Sequence, residues 1–155
     1  MVRSPDALSV RPARAADARV MREVAVAAYQ PYVDRIGREP APMTADYGRI
    51  ATSGHAWVAE RGDRIVGVLV VEPAEDHLLL ENVAVAPPAQ GLGVGGRLLR
   101  VAEEQAVARG LGEVRLYTNE AMTENLAYYP RRGYRETHRA TQDGFRRVFF
   151  TKMLT

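Results

Sequence analysis

The sequence predicts a single α/β domain of the α+β type, spanning residues 1–155. Its expected centre is one mixed, largely antiparallel sheet of about six to seven strands with helices on both faces. Three observations predict it. The first half carries β-rich runs separated only by turn residues, which is an antiparallel meander. The middle reads strand, glycine-rich loop, helix, strand, helix. The end carries two β-rich runs around Gln142-Asp143-Gly144, a closing hairpin.

In chain order, Leu8 to Pro12 alternates apolar and polar residues like a short strand. Asp17 stands where it can cap a helix running to about Tyr29. Pro31, Gly37, Pro40 and Pro42 break residues 30–53 into short helices and loops. Two β-rich runs flank Arg61-Gly62-Asp63-Arg64, a hairpin signal, and Leu78 to Val85 extends the meander. Leu98, Leu99, Ala102 and Ala106 recur at helical spacing, with Gly110 as the stop. Glu113 to Thr118 reads as a strand and Asn119 to about Tyr129 as a helix. Tyr134 to Arg139 and Phe145 to Met153 form the hairpin.

Composition narrows the function. The 155 residues contain no cysteine, which excludes disulfides, a thiolate nucleophile and Cys-based zinc sites. His55, His77 and His138 lack metal-ligand spacing, so no metal is expected. The net charge of +2 does not call for a nucleic-acid partner. No apolar run approaches the roughly 20 residues of a membrane span, and the N-terminus lacks a signal-peptide pattern. A cytoplasmic protein without a membrane partner is expected. A single lysine beside abundant Ala and Arg points to a GC-rich, bacterial genome.

The most informative stretch is Asn82 to Ala106, where Gly91, Gly93, Gly95 and Gly96 follow Pro87-Pro88 and precede a helical pattern. Glycine costs conformational entropy, and a turn does not need four. Read literally, Gly91-x-Gly93-x-x-Gly96 matches the dinucleotide fingerprint. However, five residues intervene between strand and first glycine, and the meander and hairpin do not suit a doubly wound fold. The Walker pattern fails because no Lys-Ser/Thr follows.

Read as Gln90-x-x-Gly93-x-Gly95 between a strand and a helix, the stretch resembles the acetyl-CoA loop of the GNAT N-acetyltransferase superfamily. The resemblance covers nearly the whole chain. Tyr117 to Tyr134 is similar to the family's second motif, with Tyr129 four residues before Gly133-Tyr134. The resemblance implies the GNAT fold and transfer of an acetyl group from acetyl-CoA to a primary amine of a small molecule by direct attack on the thioester. The alternatives are a protein or peptide N-acetyltransferase and a non-catalytic acyl-CoA-binding regulatory module. Homodimers are common in the superfamily, and that analogy extends here.

The implied cofactor site places the pyrophosphate among the backbone amides of Gln90, Gly91, Leu92, Gly93, Val94, Gly95 and Gly96, at the positive end of the following helix. Arg97 and Arg100 either reach phosphate or stay solvated. The pantetheine arm would pair with Val83, Ala84 and Val85 like an added strand. An amide near Asn82 or Val83 would stabilise the oxyanion. Tyr129 would protonate the departing thiolate, although Pro130 is expected to end or kink the helix and leaves Tyr128 as the rival. Met122 stands where relatives carry a pantetheine-contacting Asn, so Asn119 or Asn125 is the expected substitute.

Glu81 is the first candidate for the base that deprotonates the amine, ahead of Glu120 and Glu124. Alternation would put Glu81, Val83 and Val85 on one sheet face and Leu80, Asn82 and Ala84 on the other. The acceptor site would be roofed by the segment after the first strand, with Tyr29, Tyr32, Glu39 and Met43 as candidate contacts together with Asn82.

Overall fold

The computed structural model describes residues 7–155. Seven strands form one sheet in the order β1-β2-β3-β4-β5-β7-β6. They are β1 (Leu8–Pro12), β2 (Ala56–Arg61), β3 (Arg64–Pro73), β4 (Leu78–Val85), β5 (Glu113–Asn119), β6 (Arg135–Gln142) and β7 (Phe145–Met153). All neighbours pair antiparallel except β4 and β5, which run parallel. That parallel pair is joined by the helix expected after the glycine loop, as a parallel connection requires.

Helices α1 (Ala18–Tyr29), α2 (Val33–Ile36) and α3 (Tyr47–Ala51) precede the meander, while α4 (Val94–Ala108) and α5 (Thr123–Arg131) flank β5. The sheet separates two cores. On one face Met21, Val24 and Tyr47 pack on Val58, Val68, Val70 and Ala84. On the other Leu98, Leu99 and Tyr129 pack on Leu69, Val71, Leu80, Leu116 and Phe150. Gly67 of β3 lets α4 approach closely, since a Cβ there would stand 2.9 Å from a Val94 methyl and 3.0 Å from one of Leu98.

Three expectations need correction. Asp17 does not cap α1 through its side chain, because a 3-10 turn over Ala15–Asp17 precedes that helix. Its carboxylate instead accepts from the Arg14 amide at 2.7 Å and from Arg11 at 2.8 and 3.0 Å. The last helix starts at Thr123 rather than Asn119, because the Asn119 carboxamide accepts the Ala121 N–H at 2.9 Å and turns the chain first. Pro130 does not stop the helix before itself but sits in its final turn, and the helix ends one residue later at Arg131.

The end of α5 explains the Tyr129…Gly133-Tyr134 spacing. Gly133 adopts φ +92°, its N–H donates to the Pro130 carbonyl at 3.1 Å, and Tyr134 N–H donates to the Tyr129 carbonyl at 3.1 Å. This is a Schellman cap. Such caps favour glycine at the left-handed position and a hydrophobic contact between the residues here occupied by Tyr129 and Tyr134.

Candidate active site

The site begins with an interrupted pairing. β4 and β5 are in register only from Leu78 to Leu80 against Val114 to Leu116, yet β4 continues to Val85 and β5 to Asn119. Beyond Leu80 the two strands splay and leave a gap in the sheet. At its start β4 carries a bulge: Val70 pairs with Asn82 and Val71 with Leu80, leaving Glu81 as the extra residue.

The bulge overturns the expected alternation. Leu80 shares a face with Val83 and Val85, and the opposite face carries Asn82 and Ala84. An inserted residue resets the two-residue period, so Glu81 belongs to neither row. It is exposed and lines the mouth of a cavity of about 150 Å³ on the α1 side of the sheet. Desolvation by the surrounding protein raises its pKa above the ordinary carboxylate value, and the nearby Glu72 carboxylate adds to the rise.

Backbone direction in the gap follows from one hydrogen bond. Ala86 N–H donates to the Val66 carbonyl at 2.8 Å, toward β3. Successive residues alternate, so Ala84 and Asn82 turn their backbone groups the same way, and Val83 and Val85 turn theirs into the gap. Gln90 bridges there, with Nε2 donating to the Val85 carbonyl at 3.1 Å. The glycine loop follows a 3-10 turn at Pro87–Ala89, with Gly91 at φ +81° and Gly93 at φ +86° leading into α4.

The last two glycines of the loop have another cause. A Cβ on Gly95 would meet the Tyr128 hydroxyl at 3.4 Å, and one on Gly96 would lie 2.5 Å from the Arg132 guanidinium. The first turn of α4 thus lies against side chains from the end of α5. Arg132, at the end of α5, lies over the Tyr128 ring at 5.3 Å and lines the loop-side cavity.

A second cavity, of about 440 Å³, occupies the loop side of the gap. It brings together Val83, Ala84, Val85, Gln90, Gly91, Gly93, Val94, Gly95 and Gly96 with Asn125, Tyr128 and Tyr129. Leu92 is outside it, 53% exposed. Asn119 is also outside it and lines the Glu81 cavity instead. Asn125 Nδ2 donates to Thr118 Oγ1 at 3.0 Å, tying α5 to the β5 side of the gap. Arg97 and Arg100 are exposed and line neither cavity.

Tyr129 is buried, with its ring among Tyr128, Tyr134 and Phe150. Burial raises its phenol pKa, and Tyr128 adds to the shift. The two cavities meet at Tyr29 and Met122, which line both. The Tyr29 hydroxyl donates to Asn82 Oδ1 at 2.8 Å, Asn82 Nδ2 donates to the Tyr47 hydroxyl at 3.2 Å, and Tyr47 donates to the Pro42 carbonyl at 2.6 Å. This relay ties the roof segment to β4.

The remaining acceptor candidates divide. Tyr32 lines the loop-side cavity rather than the Glu81 cavity. Glu39 is exposed and lines neither, and Met43 is buried among core residues, 6% exposed. Of the secondary bases, Glu124 is held by Arg35 at 2.6 and 3.1 Å, which lowers its pKa to about 2 and leaves a poor base. Glu120 faces Arg139 at 3.4 Å and Arg146 at 3.9 Å. Sequence reasoning passed over Tyr117, Phe145 and Arg147, which line the Glu81 cavity from β5 and β7. No local signal marks them, because only the strand order places β7 beside β5.

An open mixed sheet that splays at a parallel pair, with a glycine loop and helix N-terminus facing the gap, defines an acyl-CoA N-acyltransferase fold. The model of the acetyltransferase (GNAT) family matches residues 20–134, and the chain belongs to that family. Over 102 residues it is 32% identical to N-acetyltransferase family 8 member 3 of Rattus norvegicus. That alignment covers 60% of this chain and 45% of the relative, so less than half of the relative's length is matched. Two solved structures share the fold. The PaiA N-acetyltransferase of Thermoplasma acidophilum in complex with coenzyme A has a TM-score of 0.77 at 16% identity, covering 95% of this chain and 99% of that one. A GNAT protein of Rhodopseudomonas palustris has a TM-score of 0.77 at 23% identity, covering 99% of both chains. Among the described residues no helix is long and apolar enough to cross a membrane.

Proposed function

We propose that the protein transfers an acetyl group from acetyl-CoA to the primary amine of a small molecule. The observation that carries this reading is the meeting of two cavities at the sheet gap. One is lined by the glycine loop, the other by Glu81, and they share Tyr29 and Met122. A thioester held from the loop side reaches an amine held on the Glu81 side only through that gap. The coenzyme A complex of the Thermoplasma structure, which shares the fold, supports a coenzyme A thioester as the donor.

In this mechanism the pyrophosphate lies on the amides of residues 90–96, and the pantetheine pairs with the inward-turned groups of Val83 and Val85. The Val83 amide, rather than that of Asn82, faces the carbonyl oxygen and stabilises the tetrahedral oxyanion. Glu81 accepts the proton of the incoming ammonium through water, and its raised pKa makes it a stronger base. The neutral amine attacks the carbonyl carbon, the C–S bond breaks, and the thiolate departs toward Tyr129. A buried phenol with a raised pKa holds its proton too tightly to give it up to a thiol of pKa about 8.5. Tyr129 therefore stabilises the thiolate by donating a hydrogen bond, and the proton comes from solvent or from the positively charged nitrogen of the collapsing tetrahedral intermediate.

A small acceptor is favoured over a peptide because the cavity, lined on one side by Pro40, Pro42 and Ala45, is only about 150 Å³. The test is calorimetric titration with acetyl-CoA, with NADH as control, followed by thiol release on an amine panel. Micromolar acetyl-CoA binding with NADH silent and amine-dependent thiol release are expected. NADH binding without acetyl-CoA binding would overturn the assignment, and acetyl-CoA binding without thiol release on any amine would favour a non-catalytic module.

A further inference from the structure

We infer that the acceptor is a free α-amino acid with an apolar side chain, its carboxylate held by Arg147. This inference rests on the acetyltransferase reading above and narrows its substrate class.

The walls of the Glu81 cavity are mostly apolar or aromatic, and its charged side chains are one carboxylate, Glu81, and one guanidinium, Arg147. The two come from different strands. Glu81 projects from the β4 bulge and Arg147 from β7, with β5 between them. β4 and β5 are no longer paired at this level, so the two side chains stand across the splayed gap on opposite sides of one cavity of about 150 Å³, a space of small-molecule size.

Arg147 is poorly neutralised for a buried cation. Its side chain is 10% exposed, and its carboxylate partner, Asp143, stands 3.8 Å away and is 85% exposed. Its other polar partner is the neutral Gln142 carboxamide at 3.1 Å. The guanidinium lies over the Tyr117 ring at 4.2 Å and within 5.5 Å of the Phe145 centroid, which fixes its plane. A buried charge of this kind is costly unless an anion completes it, and a flat, pre-oriented guanidinium matches a carboxylate in bidentate fashion.

The opposite end suits an ammonium group, since Glu81 stands beside the gap where the thioester carbonyl is held. An amine and a carboxylate on one carbon satisfy both ends at once. The rest of the molecule then meets Ile50, Val70 and Met122, which offer no charge and select an apolar side chain. A peptide N-terminus lacks the carboxylate at that position, and a protein lysine carries neither of its backbone groups free.

The experiment measures thiol release with L-leucine, L-methionine and L-phenylalanine, each against its carboxamide and its decarboxylated amine. Expected is a kcat/KM at least about tenfold higher for the free amino acids. Arg147→Met should abolish that preference by raising KM for the amino acids, with Arg147→Lys intermediate. Acetyl-CoA affinity and the circular dichroism spectrum should be those of the wild type, separating a lost carboxylate site from misfolding. Equal use of amides or amines, a preference that survives in Arg147→Met, or acetyl-CoA binding with no turnover of any amino acid each overturns the inference. Failure to bind acetyl-CoA would instead remove the acetyltransferase reading beneath it.

Discussion

The Tyr134 ring packs edge-on against that of Tyr129, with centroids 5.7 Å apart and planes at 72°, while its backbone N–H donates to the Tyr129 carbonyl at 3.1 Å. Tyr129 therefore both closes the cap of α5 and lines the loop-side cavity. The ring serves the cap, and the hydroxyl is the group proposed to meet the thiolate. Replacing Tyr129 with Phe keeps the first and removes the second. Turnover is expected to fall about tenfold or more, with acetyl-CoA affinity and melting temperature nearly unchanged. If Tyr128→Phe has that effect instead, the hydrogen bond to the thiolate comes from Tyr128.

Glu81 predicts a pH dependence. Its pKa lies above the ordinary carboxylate value, so the base is lost as pH falls through that raised pKa and gained as pH rises through it. The ascending limb of kcat/KM against pH should belong to this group and disappear in Glu81→Gln. An ascending limb of the same shape in the variant would take Glu81 out of the proton path.

In the loop, Gly93 at φ +86° has open space where a Cβ would point. Gly93→Glu is then tolerated sterically at a backbone cost of roughly 1–2 kcal/mol, but sets a carboxylate where phosphate should lie. Acetyl-CoA binding should vanish from calorimetry while the protein still melts cooperatively. Retained affinity would dissociate the loop from the cofactor.

Gly67 tests the packing of α4 on the sheet. A methyl there would sit 2.9 Å from Val94 and 3.1 Å from the Ala59 Cβ, both in the core. Gly67→Ala should cost about 1–3 kcal/mol in chemical denaturation through overpacking, despite the gain in β-propensity. A neutral or stabilising effect would mean that α4 shifts freely.

Asp17 carries a pH-linked share of stability. The hydrogen bond from Arg11 lowers its pKa most, desolvation opposes this, and the Arg14 amide adds to the lowering. A depressed carboxylate stabilises the fold fully above its unfolded pKa of about 3.9 and loses that contribution as pH falls through the folded value. Asp17→Asn should cost about 1–3 kcal/mol near neutrality, a difference that narrows below about pH 4. A gap independent of pH would assign the effect to the neutral hydrogen bonds.

Much of this molecule is written locally. Strand alternation, turn glycines and helical spacing are short-range signals, so the meander, the closing hairpin and α4 lie close to where the sequence places them. The glycine loop and the Tyr129–Gly133–Tyr134 spacing were also legible, and the second has a local cause in the cap it forms. What the tertiary structure decided involves partners remote in sequence. The Glu81 bulge exists only against β3, and it swaps the sheet faces expected for the residues after it. Arg147 and Phe145 join the Glu81 cavity only because β7 pairs with β5, Tyr117 joins it because β5 runs beside β4, and Met43 leaves the candidate site because it is buried in the core. A short-range pattern records a residue's own conformational preference; which distant strand lies beside it is set by how the whole sheet buries its two faces.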